Sequence, residues 1–249
     1  MTAAVPETAY LAHVPAEPSI KLITAERMAS DMKFVAKGRT SHQLDVILSG
    51  EETFRSPAAN LVYMTGNTHA EPETGRLSGL RRLISDTFIP MVRYSSESDS
   101  CTVTVAPLWM GEIFDLDISA EKWIVQKEAV LGAGDGVEIS KYSEEHLSDP
   151  RLGRDGMTLA ELSGSGTAFV SSMGDGTVLE LRPEQHYTAA AVRTVGWMSS
   201  VKAKLYDADG WENVSLVDFK GPGRIILQGL CPRRHSLLEN GPDGGRELL

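Results

Sequence analysis

The sequence predicts an all-β protein made of three tandem β-sandwich units with one or two short helices. Three observations lead to this fold class. Strands alternate apolar and polar residues, a strand–turn–strand pattern occurs three times, and glycines mark tight turns. The 249 residues, of which 41% are hydrophobic, are enough for one large all-β domain with a substantial core.

The alternation is clearest in the stretch FDLDI. Phe114, Leu116 and Ile118 fall on one face of an extended chain, and Asp115 and Asp117 fall on the other. This period of two is typical of a strand with one buried face. We therefore interpret the two aspartates as a solvated strand face rather than as a cation site, because calcium needs six to eight oxygen ligands.

Three stretches with this pattern begin at Gln43, Gly111 and Gly176. Each contains a strand, a short turn and a second strand, which predicts a β-hairpin. Aligning them on one glutamate also aligns their apolar positions. The aligned sets are Glu51, Glu121 and Glu184; Val46, Leu116 and Leu179; Leu48, Ile118 and Leu181; Phe54, Ile124 and Tyr187; and Ala59, Ala129 and Val192. We assign the glutamates to the turns, because an acid/base pair needs two unlike environments in one pocket.

A Gly-X-Gly turn followed by a strand begins at Ser163 and again at Lys220, and a weaker version begins at Ser98. Glycine allows the positive φ of a tight entry turn. We expect this strand to open the second and third units. The last copy, residues 221–228, has no hairpin after it, so we predict that it closes on the first unit, whose own opening strand lies at Met32.

These features predict the organisation of the chain. We expect an N-terminal arm over 1–31, a single repeat domain over 32–228 with units of approximately 32–95, 96–160 and 161–228, and a C-terminal tail over 229–249. Leucines at helical spacing, with Pro90 as a stop, predict a short amphipathic helix over Gly79–Phe88. A second short helix is predicted over Thr24–Met32.

The stretch LSGSGTAFVSSMGDGTVLELRPEQHYTAAAVRTVGW, with FKGPGRIILQ and QLDVILSGEETFRSPAANLVYM, resembles the family named after the yeast altered-inheritance-of-mitochondria protein. The resemblance extends from about Met32 to Gln228. It implies β-sandwich units like those of the tryptophan RNA-binding attenuation protein, in a double-stranded β-helix-like arrangement. It also implies that three such units in each of three chains close into a ring of nine. The motifs are glycines and apolar alternations, so they indicate fold rather than activity.

The charge of the chain bears on its partners. The formal net charge is −10 and the pI is about 5.1, which disfavours nucleic acid and anionic membranes as general partners. The basic residues that could still form a local patch are Arg76, Arg81, Arg82, Arg93, Lys202 and Lys204. The N-terminal stretch has no basic start and no sustained apolar run, so we expect a cytoplasmic protein without a targeting segment.

No catalytic or metal-binding pattern is present in the sequence. The histidines are scattered and form no HxH or HExxH: they are His13, His42, His69, His146, His186 and His235. The glycine-rich stretches at Gly132 and Gly174 lack the lysine of a phosphate-binding loop, and there is no GxSxG. We therefore predict no catalytic residues, no cofactor-binding residues, no metal ligands and no cofactor.

Cysteines and tryptophans are assigned to the core. Cys101 and Cys231 are predicted to be free buried thiols in a reducing compartment, because two distant cysteines do not make a disulfide framework. The tryptophans could stack bases in a ring, but filling the unit cores is the preferred interpretation. They are Trp109, Trp123, Trp197 and Trp211.

Two functions remain open from the sequence. The first is a non-enzymatic, ring-forming assembly or scaffold protein, a homotrimer whose partners are its own copies and either a protein or a membrane surface. The second is a ring that binds a small ligand or nucleic acid, by fold analogy with the attenuation protein. The sequence favours the first, because it combines a repeat, an acidic charge and no catalytic pattern.

Overall fold

The structure of the protein is a computed structural model, which describes residues 27–28, 32–38, 41–73, 89–97, 100–142, 158–207 and 215–230. These residues form strands joined by turns and three short 3-10 turns, and they contain no α-helix. The predicted all-β fold is therefore confirmed. No helix of this described part is long and apolar enough to cross a membrane.

Within the described residues, twenty strands follow one another. They are β1 (Arg27–Met28), β2 (Lys33–Lys37), β3 (Gln43–Ser49), β4 (Thr53–Pro57), β5 (Leu61–Met64), β6 (Thr68–Pro72), β7 (Met91–Ser96), β8 (Ser100–Val105), β9 (Ile113–Asp117), β10 (Trp123–Gln126), β11 (Val130–Gly134), β12 (Val137–Lys141), β13 (Leu159–Gly164), β14 (Thr167–Ser171), β15 (Gly176–Leu181), β16 (His186–Ala190), β17 (Thr194–Met198), β18 (Lys202–Asp207), β19 (Ser215–Lys220) and β20 (Gly223–Gln228). The 3-10 turns are Ala58–Asn60, Lys127–Ala129 and Ala191–Arg193.

The strands form four antiparallel sheets. Sheet 1 has the order β1-β2-β3-β8-β5, and sheet 2 has the order β6-β7-β4-β11-β14-β9. Sheet 3 has the order β12-β13-β10-β17-β20-β15, and sheet 4 has the order β16-β19-β18. Sheets 2 and 3 each take three strands from one stretch of chain and three from the next.

The same order of pairing recurs in three groups of six strands: β3–β8, β9–β14 and β15–β20. In each group the first strand pairs with the sixth and the sixth with the third, while the fourth pairs with the fifth and the fifth with the second. The third strand carries a register shift at its second residue in every group. The number of sandwich units, and their likeness to the attenuation protein, stay predictions.

Three apolar cores lie between the stacked sheets. Core 1, between sheets 1 and 2, contains Phe34, Phe54 and Phe169. Core 2, between sheets 2 and 3, contains Trp123, and core 3, between sheets 3 and 4, contains Trp197. Because side chains alternate along a strand, a strand of sheets 2 or 3 can supply both adjoining cores. Phe169 of β14 therefore enters core 1, while its neighbours on the same strand enter core 2.

The predicted hairpins are wrong. β3 and β4 lie in different sheets, as do β9 and β10, and β15 and β16. Each turn between them is an arch that carries the chain from one layer of a sandwich to the other. Alternation of apolar residues shows that a strand has a buried face, but two such faces can pack against each other as well as lie side by side.

The predicted place of the Gly-X-Gly strands is also wrong. β8, β14 and β20 each pair with the first and third strands of their own group, so they end a group rather than open the next one. In particular, β20 lies between β15 and β17 and does not close on the first unit. The unit boundaries near residues 95 and 160 stay predictions.

Of the two predicted helices, the structure describes only part of one. The segment Gly79–Phe88 lies outside the described residues. The predicted helix Thr24–Met32 is wrong where it is described, because Arg27 pairs with Phe34 and Met28 with Lys33 in an antiparallel ladder. Of the predicted tail, Gly229 and Leu230 donate backbone hydrogen bonds to Asp175 and Met173.

The glutamate alignment needs one correction. Val46 and Leu179 lie twelve residues before the 3-10 turns of their groups, but Leu116 lies eleven before Lys127. Counted from the 3-10 turns, Glu121 is therefore equivalent to Glu52 and Gln185 rather than to Glu51 and Glu184. Glu52 Oε2 accepts the backbone N–H of Ser49 at 2.8 Å, and Gln185 Oε1 accepts that of Arg182 at 3.0 Å. The residue that closes the arch is therefore Glu52, whereas the predicted turn residue Glu184 lies in the left-handed region with φ 64°.

Candidate functional site

Two strands at the ends of the sheet stack differ from their equivalents elsewhere. β5 is the third strand of the first group and lies at the edge of sheet 1, and β16 is the second strand of the third group and lies at the edge of sheet 4. In the described part of the chain, neither has a strand on its outer side. Unpaired edges carry rows of free N–H and C=O groups and can join to another strand.

The equivalents of these edges are paired inside the chain. β11 pairs with β4, with Ala133 opposite Arg55 and Gly134 opposite Phe54. β17 pairs with β10, with Gly196 opposite Val125, Trp197 opposite Ile124 and Met198 opposite Trp123. The third strand of one group is therefore joined to the second strand of the group before it, at both places where the chain offers such a pair.

Side chains reinforce both of these junctions. At the first, Ser56 Oγ donates to the carbonyl of Leu131 at 2.8 Å, and Arg55 donates to the carbonyl of Gly134 at 3.2 Å. At the second, the backbone N–H of Ser199 donates to the carbonyl of Lys122 at 2.9 Å. Glu121 Oε1 accepts the backbone N–H of Ser200 at 2.5 Å.

The residues of the open edge strands β5 and β16 are more exposed than those of the paired strand β11. All five residues of β11 are buried. By contrast, all four residues of β5 are exposed, although each is apolar or aromatic: Leu61 37%, Val62 46%, Tyr63 49% and Met64 41%. On β16 the edge residue Tyr187 is 38% exposed. Contiguous apolar residues on a sheet edge indicate an interaction surface.

The face of sheet 1 beside β5 is polar. Thr104 Oγ1 donates to Asp45 Oδ1 at 2.8 Å, and the ammonium group of Lys37 pairs with the same carboxylate. The hydrogen bond to Asp45, and then its charge, raise the pKa of Lys37 above its ordinary value of 10.5. The two partners compensate the charge of the buried carboxylate.

The outer face of sheet 4 beside β16 is charged. His186 Nδ1 lies 3.2 Å from Asp218 Oδ2, and Thr188 Oγ1 donates to the same carboxylate at 3.5 Å. The hydrogen bond from Lys220 lowers the pKa of Glu184 below its ordinary value. The opposite face of these strands is apolar, with Val217 and Phe219 in core 3.

The basic residues do not form one patch in the described structure. Arg93 is paired with Glu73, at 3.0 Å, and with Asp135. It lies on β7 of sheet 2, whereas Lys202 and Lys204 lie on β18 of sheet 4. Arg76, Arg81 and Arg82 are outside the described residues.

Other residues singled out from the sequence are spread over the fold. Trp123 and Trp197 are core residues and Trp109 is 41% exposed, while Trp211 lies outside the described residues. Cys101 is a free buried thiol, and Cys231 lies outside. Asp117 caps the backbone N–H of Ser119 at 3.0 Å, and Asp115 lies on the same strand.

The histidines and acidic residues bring no metal site together in the part of the chain that the structure describes, where no three His, Cys, Asp or Glu side chains are placed to hold an ion. His42 is buried, His69 and His186 are exposed, and His13, His146 and His235 lie outside. That the protein lacks catalytic residues and cofactors stays a prediction.

The sequence did not identify β5 as a site. The signal was present, since LVYM is as apolar as the strands around it. Its meaning depends on which strands are neighbours, and the pairing order supplies that. Sequence alignment places Phe54, Ile124 and Tyr187 together, whereas the hydrogen-bond register makes Phe54, Trp123 and Tyr187 equivalent.

Comparisons with known proteins agree with this fold. A family model described as mitochondrial biogenesis AIM24 matches residues 34–230. The chain is also similar to a protein from Streptococcus pyogenes known from an X-ray crystal structure, with a TM-score of 0.69 and 17% sequence identity. The match covers 84% of this chain and 100% of that one. No match was found among curated proteins.

Proposed function

The chain belongs to the mitochondrial biogenesis AIM24 family, and from that premise we propose that it is a non-enzymatic assembly protein whose copies join head to tail into a closed ring. One observation carries the proposal. β5 and β16 are the only third and second strands of the described groups that lack the partner their equivalents have. Pairing β5 of one copy with β16 of the next would make a third junction like the two internal ones.

Such a contact is heterologous, because the two surfaces that meet are different. Heterologous contacts either close into rings or continue into filaments. Closure is supported by the internal junctions, which repeat one geometry along the chain, so that a third junction of the same kind continues the same rotation. Three copies is the number that the family resemblance implies, giving a homotrimer.

The proposal extends to the role and place of the ring. An acidic ring without a catalytic constellation would act as a scaffold that presents a repeated surface to a protein partner. We place it in the cytoplasm, since the free buried thiol of Cys101 suits a reducing compartment. Nucleic acid is disfavoured as a partner because of the net charge of −10 and the ion pairs of Arg93.

The test is the mass of the protein in solution. Light scattering at micromolar concentration should give about 81 kDa, three times the 27.0 kDa of the chain. Lysines on an edge strand oppose pairing, so the double variant Leu61→Lys with Met64→Lys should give the 27.0 kDa monomer with an unchanged β-sheet circular dichroism spectrum.

The matched control places the same two charges on another exposed apolar pair. Leu108 and Met110 are 65% and 63% exposed and lie in the linker between β8 and β9, on neither edge strand. The variant Leu108→Lys with Met110→Lys should remain assembled. A wild-type mass of one chain, or an edge variant that keeps the full mass, would refute the proposal.

A further inference from the structure

In sheets 1, 2 and 3, a row of three residues crosses one face of the sheet, with one residue each from the third, sixth and first strands of a group. In sheet 2 the row is Gly132, Phe169 and Asp115. In sheet 3 it is Gly196, Ile226 and Val178, and in sheet 1 it is Tyr63, Thr104 and Asp45. Because these residues are directly opposite one another, their side chains share one face of the sheet.

In sheets 2 and 3 the large side chain of the row lies on the sixth strand. Phe169 reaches from the second group into core 1, and Ile226 reaches from the third group into core 2. Cores 1 and 2 are thus each completed by a residue from the following group. Core 3 has no following group in the chain, and Ala189 of β16, which borders it, is only partly buried.

The neighbouring glycines show why the large residue sits where it does. A Cβ on Gly132 would lie 2.2 Å from the ring of Phe54, and a Cβ on Gly196 would lie 2.6 Å from Cγ1 of Val125. Each internal junction therefore has room for one large side chain on the sixth strand and none on the third. In sheet 1 these sizes are exchanged, with small Thr104 on the sixth strand and large Tyr63 on the third.

We propose that Tyr63 of one copy enters core 3 of the next copy, opposite Ala189, and completes that core as Phe169 and Ile226 complete cores 1 and 2. The inference rests on the proposed ring and specifies its contact. Tyr63 is 49% exposed. It lies on the face of sheet 1 that points away from core 1, the core to which Val103 and Val46 belong. Ala189 is small, and at the junction of β10 and β17 its place is held by Val125, opposite Gly196.

The register follows from the internal junction between β10 and β17. Gly196, three residues after the 3-10 turn Ala191–Arg193, is opposite Val125, two residues before the 3-10 turn Lys127–Ala129. Tyr63 is three residues after Ala58–Asn60, and Ala189 is two residues before Ala191. The same pairing between copies therefore places Tyr63 opposite Ala189 and Met64 opposite Thr188.

Disulfide trapping tests the register without changing Tyr63. In a Cys231→Ser background that keeps the buried Cys101, the variant Met64→Cys with Thr188→Cys should form disulfides between copies, up to a covalently closed ring on non-reducing gels. Directly opposite Cβ atoms are about 4.5–5.5 Å apart, close to disulfide range. The controls pair Met64→Cys with His186→Cys or Ala190→Cys, two residues out of register and on the same face.

A second measurement tests the role of Tyr63. Tyr63→Ala should weaken assembly in sedimentation equilibrium by about thirty-fold or more, as expected for a buried aromatic anchor. Tyr63→Phe should restore assembly, because the ring supplies the buried area. Unchanged circular dichroism in both variants shows that the chain still folds.

The outcomes separate the two proposals. A wild-type protein that stays monomeric contradicts the proposed ring itself. An assembled protein that cross-links in a shifted register, or that assembles fully with Tyr63→Ala, contradicts the placement of Tyr63 while leaving the ring intact.

Discussion

Phe169 packs edge to face against Phe34, with ring centroids 4.8 Å apart and ring planes at 79°. Phe34 lies on β2 in sheet 1, and Phe169 lies on β14 in sheet 2, a strand of the second group. The contact joins the second group to the strand that precedes the first group, through core 1. Such edge-to-face pairs stabilise beyond the area that they bury.

Truncating this aromatic contact should destabilise the protein strongly. Phe169 is fully buried, and it also lies 6.1 Å from the ring of Phe54. We expect Phe169→Ala to lower the free energy of unfolding by about 3–5 kcal/mol, measured by urea denaturation. Phe169→Leu, which keeps most of the volume, should lose clearly less, and equal losses in the two variants would contradict the packing described.

Gly132 should not tolerate a side chain. The ring of Phe54 and the carbonyl oxygen of Arg55, which would lie 2.9 Å from a Cβ on Gly132, leave no space on β11. We expect Gly132→Val to cost about 1–3 kcal/mol or more through overpacking, seen as a lower Tm. Gly66 is the control, since a Cβ there meets nothing within 4 Å. Gly66→Ala should leave the Tm nearly unchanged.

Glu52, and not its neighbour Glu51, should stabilise the first arch. Glu52 accepts hydrogen bonds from the backbone N–H of Ser49 at 2.8 Å and from its hydroxyl at 3.1 Å. Glu52→Ala should lower the free energy of unfolding by about 0.5–1.5 kcal/mol, the usual contribution of a hydrogen bond. Glu51→Ala should change it little. A larger loss at Glu51 would restore the alignment on that residue.

His69 should titrate above its ordinary pKa of 6.5. Its Nε2 lies 2.8 Å from Glu71 Oε1, and this hydrogen bond is the main cause of the raised pKa. A raised pKa stabilises the fold fully below the unfolded value, and this stabilisation is lost as the pH rises through the folded one. Both groups are exposed, so the effect on stability is small.

The measurement for His69 is an NMR titration. Glu71→Gln should lower the pKa of His69 toward its ordinary value, whereas Glu138→Gln, on a different strand, should leave it unchanged. A pKa for His69 at or below 6.5 in the unmodified protein would contradict the contact with Glu71.

Much of the strand content could be predicted from the sequence, because alternation is a local property. The alternation predicts a shared buried face for Leu116 and Ile118, and both are in core 2. The neighbour of each strand could not be predicted, because pairing is set by contacts between distant segments. β9 pairs with β14 about fifty residues away rather than with β10 across the turn.

The candidate site was hidden for the same reason. Tyr63 and Ala189 have ordinary strand sequences around them, and neither belongs to a motif. The significance of Tyr63 depends on the observation that Gly132 and Gly196 hold the equivalent places at internal junctions. A sequence alignment could reveal this only with the correct register. In the second group the spacing from the first strand to the 3-10 turn is one residue shorter, eleven from Leu116 to Lys127 against twelve from Val46 to Ala58, and this shifts the register.

Sheets 2 and 3 each draw half of their strands from one group and half from the next, with core residues on both faces. A group therefore cannot unfold without breaking hydrogen bonds of the neighbouring group and exposing its apolar core residues to water. Heating should produce a single calorimetric transition across the described strands rather than three successive ones, and excising the middle group would leave two fragments that each lack half a sheet.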